Sequence, residues 1–285
     1  MEPHFEFRKV RDFGMVMNDS FDFVRQEFKR LGKTFLIYIL PFFILSGILL
    51  VYSQINLLDS VQDMTPDESF GKFTVLRAIP SYIIQLLNYT VLTAVVYGYM
   101  DLYQEKKGDF TPEELWPGIL KIALKLFWVY LVTFVGIVIA TLFLVVPGIY
   151  LGIVFTLIPP VLIFEKIGFG TAVKRSFDII KDNWWKTFGI IIIAGLIVYI
   201  FSIMVSLPLI ITTAVKAFHA ASANETPQIF STGYLVMSTV ISIFQTISYS
   251  LILIFVAIQY FTLVETKERP TLQAKIDKLA EEAND

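Results

Sequence analysis

The chain has 285 residues, of which 55% are hydrophobic and only 17% charged, with 26 Phe and 13 Tyr. That balance is far too apolar for a soluble domain of this length and places the chain in a bilayer. The absence of Cys excludes disulfides, thiolate metal sites and cysteine nucleophiles together.

Residues 1–33 form a charged N-terminal region, read as cytoplasmic. Within it, Met17, Phe21, Val24 and Phe28 follow the spacing i, i+4, i+7, i+11, the apolar stripe of an amphipathic helix. A span needs roughly 20 mostly apolar residues. Runs of that kind occur about six times within a membrane domain over 34–264: near 34–56, 78–100, 122–146, 148–164, 187–213 and 235–263. The first run is too long for the core of a cleavable signal, so it is expected to stay in the mature protein. Between the third and fourth runs, Pro147 and Gly148 supply the backbone of a tight hairpin turn; the alternative is a re-entrant pair that does not cross. Pro159 and Pro160 are expected to kink the fourth span. A second amphipathic helix occupies 171–185. The tail over 265–285 reads as a short cytoplasmic segment, with Leu272, Ile276 and Leu279 on one helical stripe.

Charge placement is an independent check on the number of spans. Of the 23 Lys and Arg, all but Lys72, Arg77 and Lys216 fall in segments that six crossings bring to one side. An excess of Lys and Arg marks the cytoplasmic face, so both termini are expected inside. A miscount by one span would destroy this segregation.

The sequence also writes one phrase twice. "SFDFVRQEF" at 20–28 returns as "SFDIIKDNW" at 176–184, and Val173, Phe177, Ile180 and Trp184 lie 156 residues beyond Met17, Phe21, Val24 and Phe28. Ser20, Asp22 and Arg25 find counterparts in Ser176, Asp178 and Lys181, and both copies run through Lys-Thr-Phe into a span, the second with three residues fewer. The pattern is an internal repeat of amphipathic helix, basic connection and membrane helix. Such a helix can lie in the headgroup layer with its basic side near lipid phosphates, or pack on the ends of the other spans. Phe21, Val24, Phe28, Phe177 and Ile180 are the interface or packing candidates. Trp184 and Trp185 join them as interfacial-belt residues.

The segment "LVVPGIYLGIVFTLIPPVLIFEKIGFGTAVKRSFDIIKDNWWKTFGIIII" resembles a group of bacterial polytopic families that includes the membrane domain attached to some glycerophosphoryl diester phosphodiesterases. Pro147, Gly148, Glu165, Ala172, Ser176, Trp184 and Trp185 are the landmarks of that likeness. The resemblance implies an integral membrane module without the phosphodiesterase activity, because the soluble barrel of that enzyme is absent and the chain holds only two His, His4 and His219.

The spans carry little chemistry. No acid or base falls in the middle of one, and no residue set suggests a catalytic group, a cofactor or a metal site. Glu165, at the end of the fourth span, is expected to pair with Lys174 or Arg175 as a structural lock. Gln85 and Asn88, one helical turn apart, and Gln245 in the sixth span can bond across helices or line a polar cavity. The expectation is a non-enzymatic scaffold or accessory subunit of a bacterial cytoplasmic membrane. Its partners would be the lipid bilayer and a membrane protein, with no nucleic acid. The alternative is a transporter or lipid-handling protein.

Overall fold

The computed structural model describes residues 5–62, 70–143, 145–223 and 231–269. Every regular element among them is helical, as a chain that must satisfy its backbone hydrogen bonds inside hydrocarbon requires unless it closes a barrel. Six helical segments are long and apolar enough to cross a membrane. The protein is an all-α polytopic membrane protein.

In chain order, α1 (Phe13–Thr34) passes through one π turn (Phe35–Ile39) into α2 (Leu40–Gln62). The Leu40 N–H donates to the Phe35 carbonyl, five residues back, so the helix turns wide there without breaking. Next come α3 (Phe70–Glu105), a 3₁₀ turn (Pro112–Leu115) and α4 (Trp116–Phe143). α5 (Val145–Phe155), α6 (Ile158–Phe164) and α7 (Phe169–Ile180) follow, then α8 (Trp184–Ala223) and α9 (Thr232–Glu268). Neighbouring spans pack in sequence order, and α9 returns to touch α1, α2, α3, α6, α7 and α8.

Three sequence expectations change in the structure. The first amphipathic helix is not a separate interfacial element, because α1 and the first span form one continuous rod. The prolines of the fourth span do not kink a helix. The chain breaks at Thr156 and Leu157, and Pro159 and Pro160 sit in the first turn of α6, where their missing N–H groups would have no intrahelical partner. The α4–α5 hairpin turns earlier than expected, so that Pro147 and Gly148 already lie in the first turn of α5. The proposed tail helix with Leu272, Ile276 and Leu279 lies outside the described residues, as does His4.

Length sets the bundle apart from a minimal one. α8 has 40 residues, about 60 Å of helix against a hydrocarbon core of about 30 Å. Burial is uneven along these rods. Every residue of α9 from Ile254 to Glu265 is buried, and so is most of α3 between Leu92 and Tyr103. At their other ends α3 and α8 expose Tyr82, Ile83, Ile211 and Phe218. A helix apolar all round and buried all round is the centre of its bundle, so α9 is the central post at one end, and the packing loosens toward the other.

Gly148 shows how close the α4–α5 approach is. A Cβ there would fall 2.3 Å from Thr141 Oγ1 and 3.1 Å from the Thr141 backbone, whereas one at Gly152 would meet nothing within 4 Å. Gly148→Ala is expected to destabilise the protein by about 1–3 kcal/mol through overpacking, and Gly152→Ala to leave it unchanged. Unfolding of both variants in mild detergent measures the difference; equal stability would mean that the hairpin is not tightly closed.

Candidate functional site

Charged groups gather where α9 ends. Contacts between segments far apart in sequence bring 5–33, 101–115, 165–186 and 265–268 to this one end of the bundle. Arg175 on α7 donates from Nε to both carboxylate oxygens of Glu165, at 3.0 and 3.1 Å, and from its other nitrogens to Glu268 at the end of α9. The Tyr260 hydroxyl adds a bond to Glu165 at 3.0 Å. Three elements, α6, α7 and α9, thus meet on one guanidinium. Hydrogen bonding to Glu268, followed by the Glu165 carboxylate, raises the Arg175 pKa further above its ordinary value, so the clamp stays charged. Lys174, the other candidate partner of Glu165, is exposed instead.

A second clamp was not foreseen. The extended segment before α1 tucks Phe5 and Phe7 into the bundle mouth, where Phe7 meets Phe23, Tyr103 and Phe261 at ring distances of 5.2, 5.6 and 5.3 Å. Arg11 holds this strap in place. Its side chain is 1% exposed and pairs with Asp19 at 2.6 Å. It also donates to the carbonyls of Phe7 at 2.7 Å, Lys9 at 3.2 Å and Glu6. An isolated buried guanidinium would cost several kcal/mol, and this set of acceptors is what makes the burial tolerable. Lys186 on α8 reaches the Arg11 carbonyl at 2.6 Å and ties the strap to the fifth span.

α1 is fixed by a second buried charge. Glu27 accepts from the Tyr99 hydroxyl on α3 and lies 3.4 Å from Arg30, which itself donates to the Phe110 carbonyl at 2.6 Å and lies over its ring. Lys166 bridges to Asp101 and Glu105 from a left-handed backbone conformation, φ 54°, that a non-glycine residue adopts seldom. Its neighbours leave a polar recess of about 440 Å³ bordered by Glu6, Arg8 and Gln104.

The predicted stripes need a correction in register. The face of α1 that is buried is Val16, Ser20, Phe23, Glu27 and Leu31, one residue before Met17, Phe21, Val24 and Phe28. Polarity concealed it: Ser20 turns its hydroxyl back to the Val16 carbonyl at 2.6 Å, and Glu27 has the partners just described. Phe21 therefore lies on the flank, edge-on to Phe255 at 5.3 Å, Val24 is half-buried, and Phe28 is 71% exposed. On α7 the buried residues are Ala172, Ser176, Ile179 and Ile180. Ser176 bonds back to the Ala172 carbonyl at 2.8 Å, as Ser20 does to Val16. Phe177 packs beside Tyr150 and Phe155. Trp184 stacks between Tyr150 and Phe188, and Trp185 is 78% exposed.

The intramembrane polar candidates do not converge. Asn88 donates to Gln85 at 3.2 Å within α3, while Gln245 on α9 donates to Ser206 of α8 at 2.8 Å. None of the three lines the large apolar groove between α3, α4 and α9. Gln259, buried in the central post, bonds Thr187 of α8 at 2.9 Å. Gln245 and Gln259 thus join α9 to α8, as polar residues in spans commonly do, whereas the Gln85–Asn88 bond stays within one helix.

Compared with protein-family models, with curated proteins and with solved structures, the chain finds no match in any of the three.

The two clamps are expected to differ in weight. Arg11→Ala leaves Asp19 and the Glu6 and Lys9 carbonyls without their Arg11 donor, the Phe7 carbonyl keeping only the Lys9 N–H, and should cost about 3–5 kcal/mol, the range for breaking a buried pair. Arg175→Ala, in a half-exposed cluster, should cost about 1–3 kcal/mol. Thermal unfolding in detergent ranks them; the reverse order would mean that the strap contributes little to the fold.

Proposed function

We propose that this protein is a non-catalytic scaffold of a bacterial cytoplasmic membrane, with its charged end and both termini on the cytoplasmic side. One observation carries the reading. The charged groups at that end hold segments of the chain to one another: Arg175 joins α6, α7 and α9, Arg11 fixes the strap, and Glu27 joins α1 to α3. Charges used this way fix separate segments of the chain into one plate. An ion or proton path would instead need titratable groups aligned along the spans.

What the plate leaves exposed suits a membrane surface and a membrane-protein partner. Phe28 stands beside exposed Arg25 and Lys29, and Trp185 follows exposed Lys181. Aromatic groups next to Lys and Arg favour the headgroup layer, where the ring is buried and the cation meets phosphate. The like phrases at 20–28 and 176–184 support an internal duplication, since both place a buried serine at the same point of a helix that packs on α9. In this reading the resemblance to the membrane domains attached to phosphodiesterases concerns architecture alone. Lipid handling is the second reading, favoured by the apolar groove between α3, α4 and α9.

Two measurements test the proposal. The chain has no Cys, so single Lys107→Cys, Lys181→Cys and Lys216→Cys variants report sidedness without background. A membrane-impermeant maleimide added to intact cells is expected to label only the Lys216 variant, and labelling of the other two would reverse the orientation. Copurification from native membranes in mild detergent, followed by mass spectrometry, is expected to give a stoichiometric protein partner that a Phe28→Glu, Trp185→Glu double variant loses. A bound solute with no protein partner would overturn the scaffold reading.

A further inference from the structure

The groove named above has a shape of its own. It encloses about 820 Å³ between α3, α4 and α9, and its walls are side chains such as Leu86, Leu92, Leu131 and Ile252. Its position in the bilayer follows from α3. Asp101 stands at the charged end, and Tyr82, 73% exposed, lies 19 residues earlier, about 28 Å along the helix and so close to one hydrocarbon thickness away. A tyrosine at that height has its ring in the acyl region and its hydroxyl among headgroups.

From Tyr82 the groove runs inward to Thr93, about 16 Å, which is half of a hydrocarbon core of about 30 Å. There it stops. The Thr93 and Tyr130 hydroxyls bond across α3 and α4 at 2.7 Å, and beyond them Val95, Val96, Leu126 and Phe255 are fully buried core. The floor therefore lies at the midplane. Along its sides, Tyr89 and Tyr249 meet edge-on at 5.4 Å and narrow the passage toward α9. The rim is continuous with the lipid-facing surface, since Ile83 and Phe134 line the groove and are themselves exposed.

We propose that this groove is a binding site for one acyl chain of a phospholipid in the leaflet opposite the charged end, with the ester region at the height of Tyr82 and the chain terminus against the Thr93–Tyr130 pair. Length and closure select this occupant. A transmembrane helix of a partner or of a second copy, about 10 Å across, packs along a surface that runs through both leaflets, whereas this recess ends halfway, at the Thr93–Tyr130 pair. A hydrophilic solute would leave its polar groups unpaired against leucine and isoleucine. A lipid chain entering sideways from the bilayer matches the groove in depth, polarity and direction of access. The site is independent of the scaffold reading and stands or falls without it.

The test uses the full chain in nanodiscs of phosphatidylglycerol and phosphatidylethanolamine, with a trace of phosphatidylglycerol carrying a terminal diazirine on one acyl chain. After illumination, cross-linked residues are mapped by peptide mass spectrometry. Labelling is expected to be several-fold denser on the groove walls at Leu131 and Leu253 than on the open α4 face at Val135 and Ile139. Leu131→Trp, which fills the groove, should abolish that enrichment, and Val135→Trp, which adds at least as much bulk outside it, should keep it. Ile252→Phe fills the same space from α9 and replaces Leu131→Trp if that variant does not fold. Uniform labelling, or enrichment that survives filling, would reduce the contact to ordinary annular lipid and overturn the proposal. So would light scattering that shows a dimer converted to monomer by the filling variant, because the groove would then be a protein interface.

Discussion

The rest of the molecule depends on the last turns of α9. From Ile254 to Glu265 that helix has no lipid face and no solvent face; every side chain on it is buried. A fully surrounded helix must find partners for its polar groups inside the protein, and α9 finds them for the Gln259 amide N–H and the Tyr260 hydroxyl, with Glu268 just beyond the surrounded stretch, while the Gln259 amide oxygen stays unpaired. Gln259 takes Thr187, Tyr260 takes Glu165, and Glu268 takes Arg175. Each bond goes to a different element or to a different end of one. Because side-chain hydrogen bonds between spans are individually worth only about 0.6 kcal/mol, no single one fixes the post. Their arrangement does, since shifting or rotating α9 would break several together.

Buried charge at this end is costly and still persists, which constrains what it does. A buried ion pair is often no more stabilising than well-packed apolar residues of the same volume, while removing one partner is strongly destabilising. Arg11 and Glu27 are therefore poor devices for adding stability and good ones for fixing a single arrangement, and the half-exposed Arg175 adds a third fixed point beside them. Apolar packing alone would let the strap, α1 and α7 slide along a greasy central post. A guanidinium with directed acceptors permits one register, and the aromatic ring of Phe7 then has one place to go.

The sequence made the spans legible because hydrophobicity over some 20 residues is a collective signal that no single residue can overturn. It also paired Glu165 with Lys174 or Arg175, since an acid at a span end has few affordable partners within reach, and the structure selects Arg175. The register of the amphipathic face was lost for a local reason. Apolar spacing selected Phe21 and Phe28, but the buried face is built on Ser20 and Glu27, whose polarity is cancelled by a helix carbonyl and by Tyr99 on another helix. Such partners are invisible in one dimension. The strap was missed likewise: Phe5 and Phe7 alternate with Glu6 and Arg8, a short extended pattern that periodicity searches tuned to helices pass over.

The phrase written twice now has a physical reading. Both copies place a serine on the buried face of a helix that packs on α9, and each serine satisfies itself on the carbonyl four residues back. A small, self-satisfied residue lets two helices approach closely without leaving a polar group stranded. Both segments also end on a buried threonine, Thr34 and Thr187, bonded back in the same manner. What differs is the joint. The longer copy keeps its connection helical within α1, passes through a π turn only after Thr34 and runs straight into the membrane, whereas the shorter one stops at Ile180 and restarts at Trp184. Three residues thus separate a continuous rod from a hinged pair, and the hinge lets α7 carry Arg175 sideways to Glu165 and Glu268. The same words serve two positions because the contact surface is shared while the direction of the following span is set by the joint.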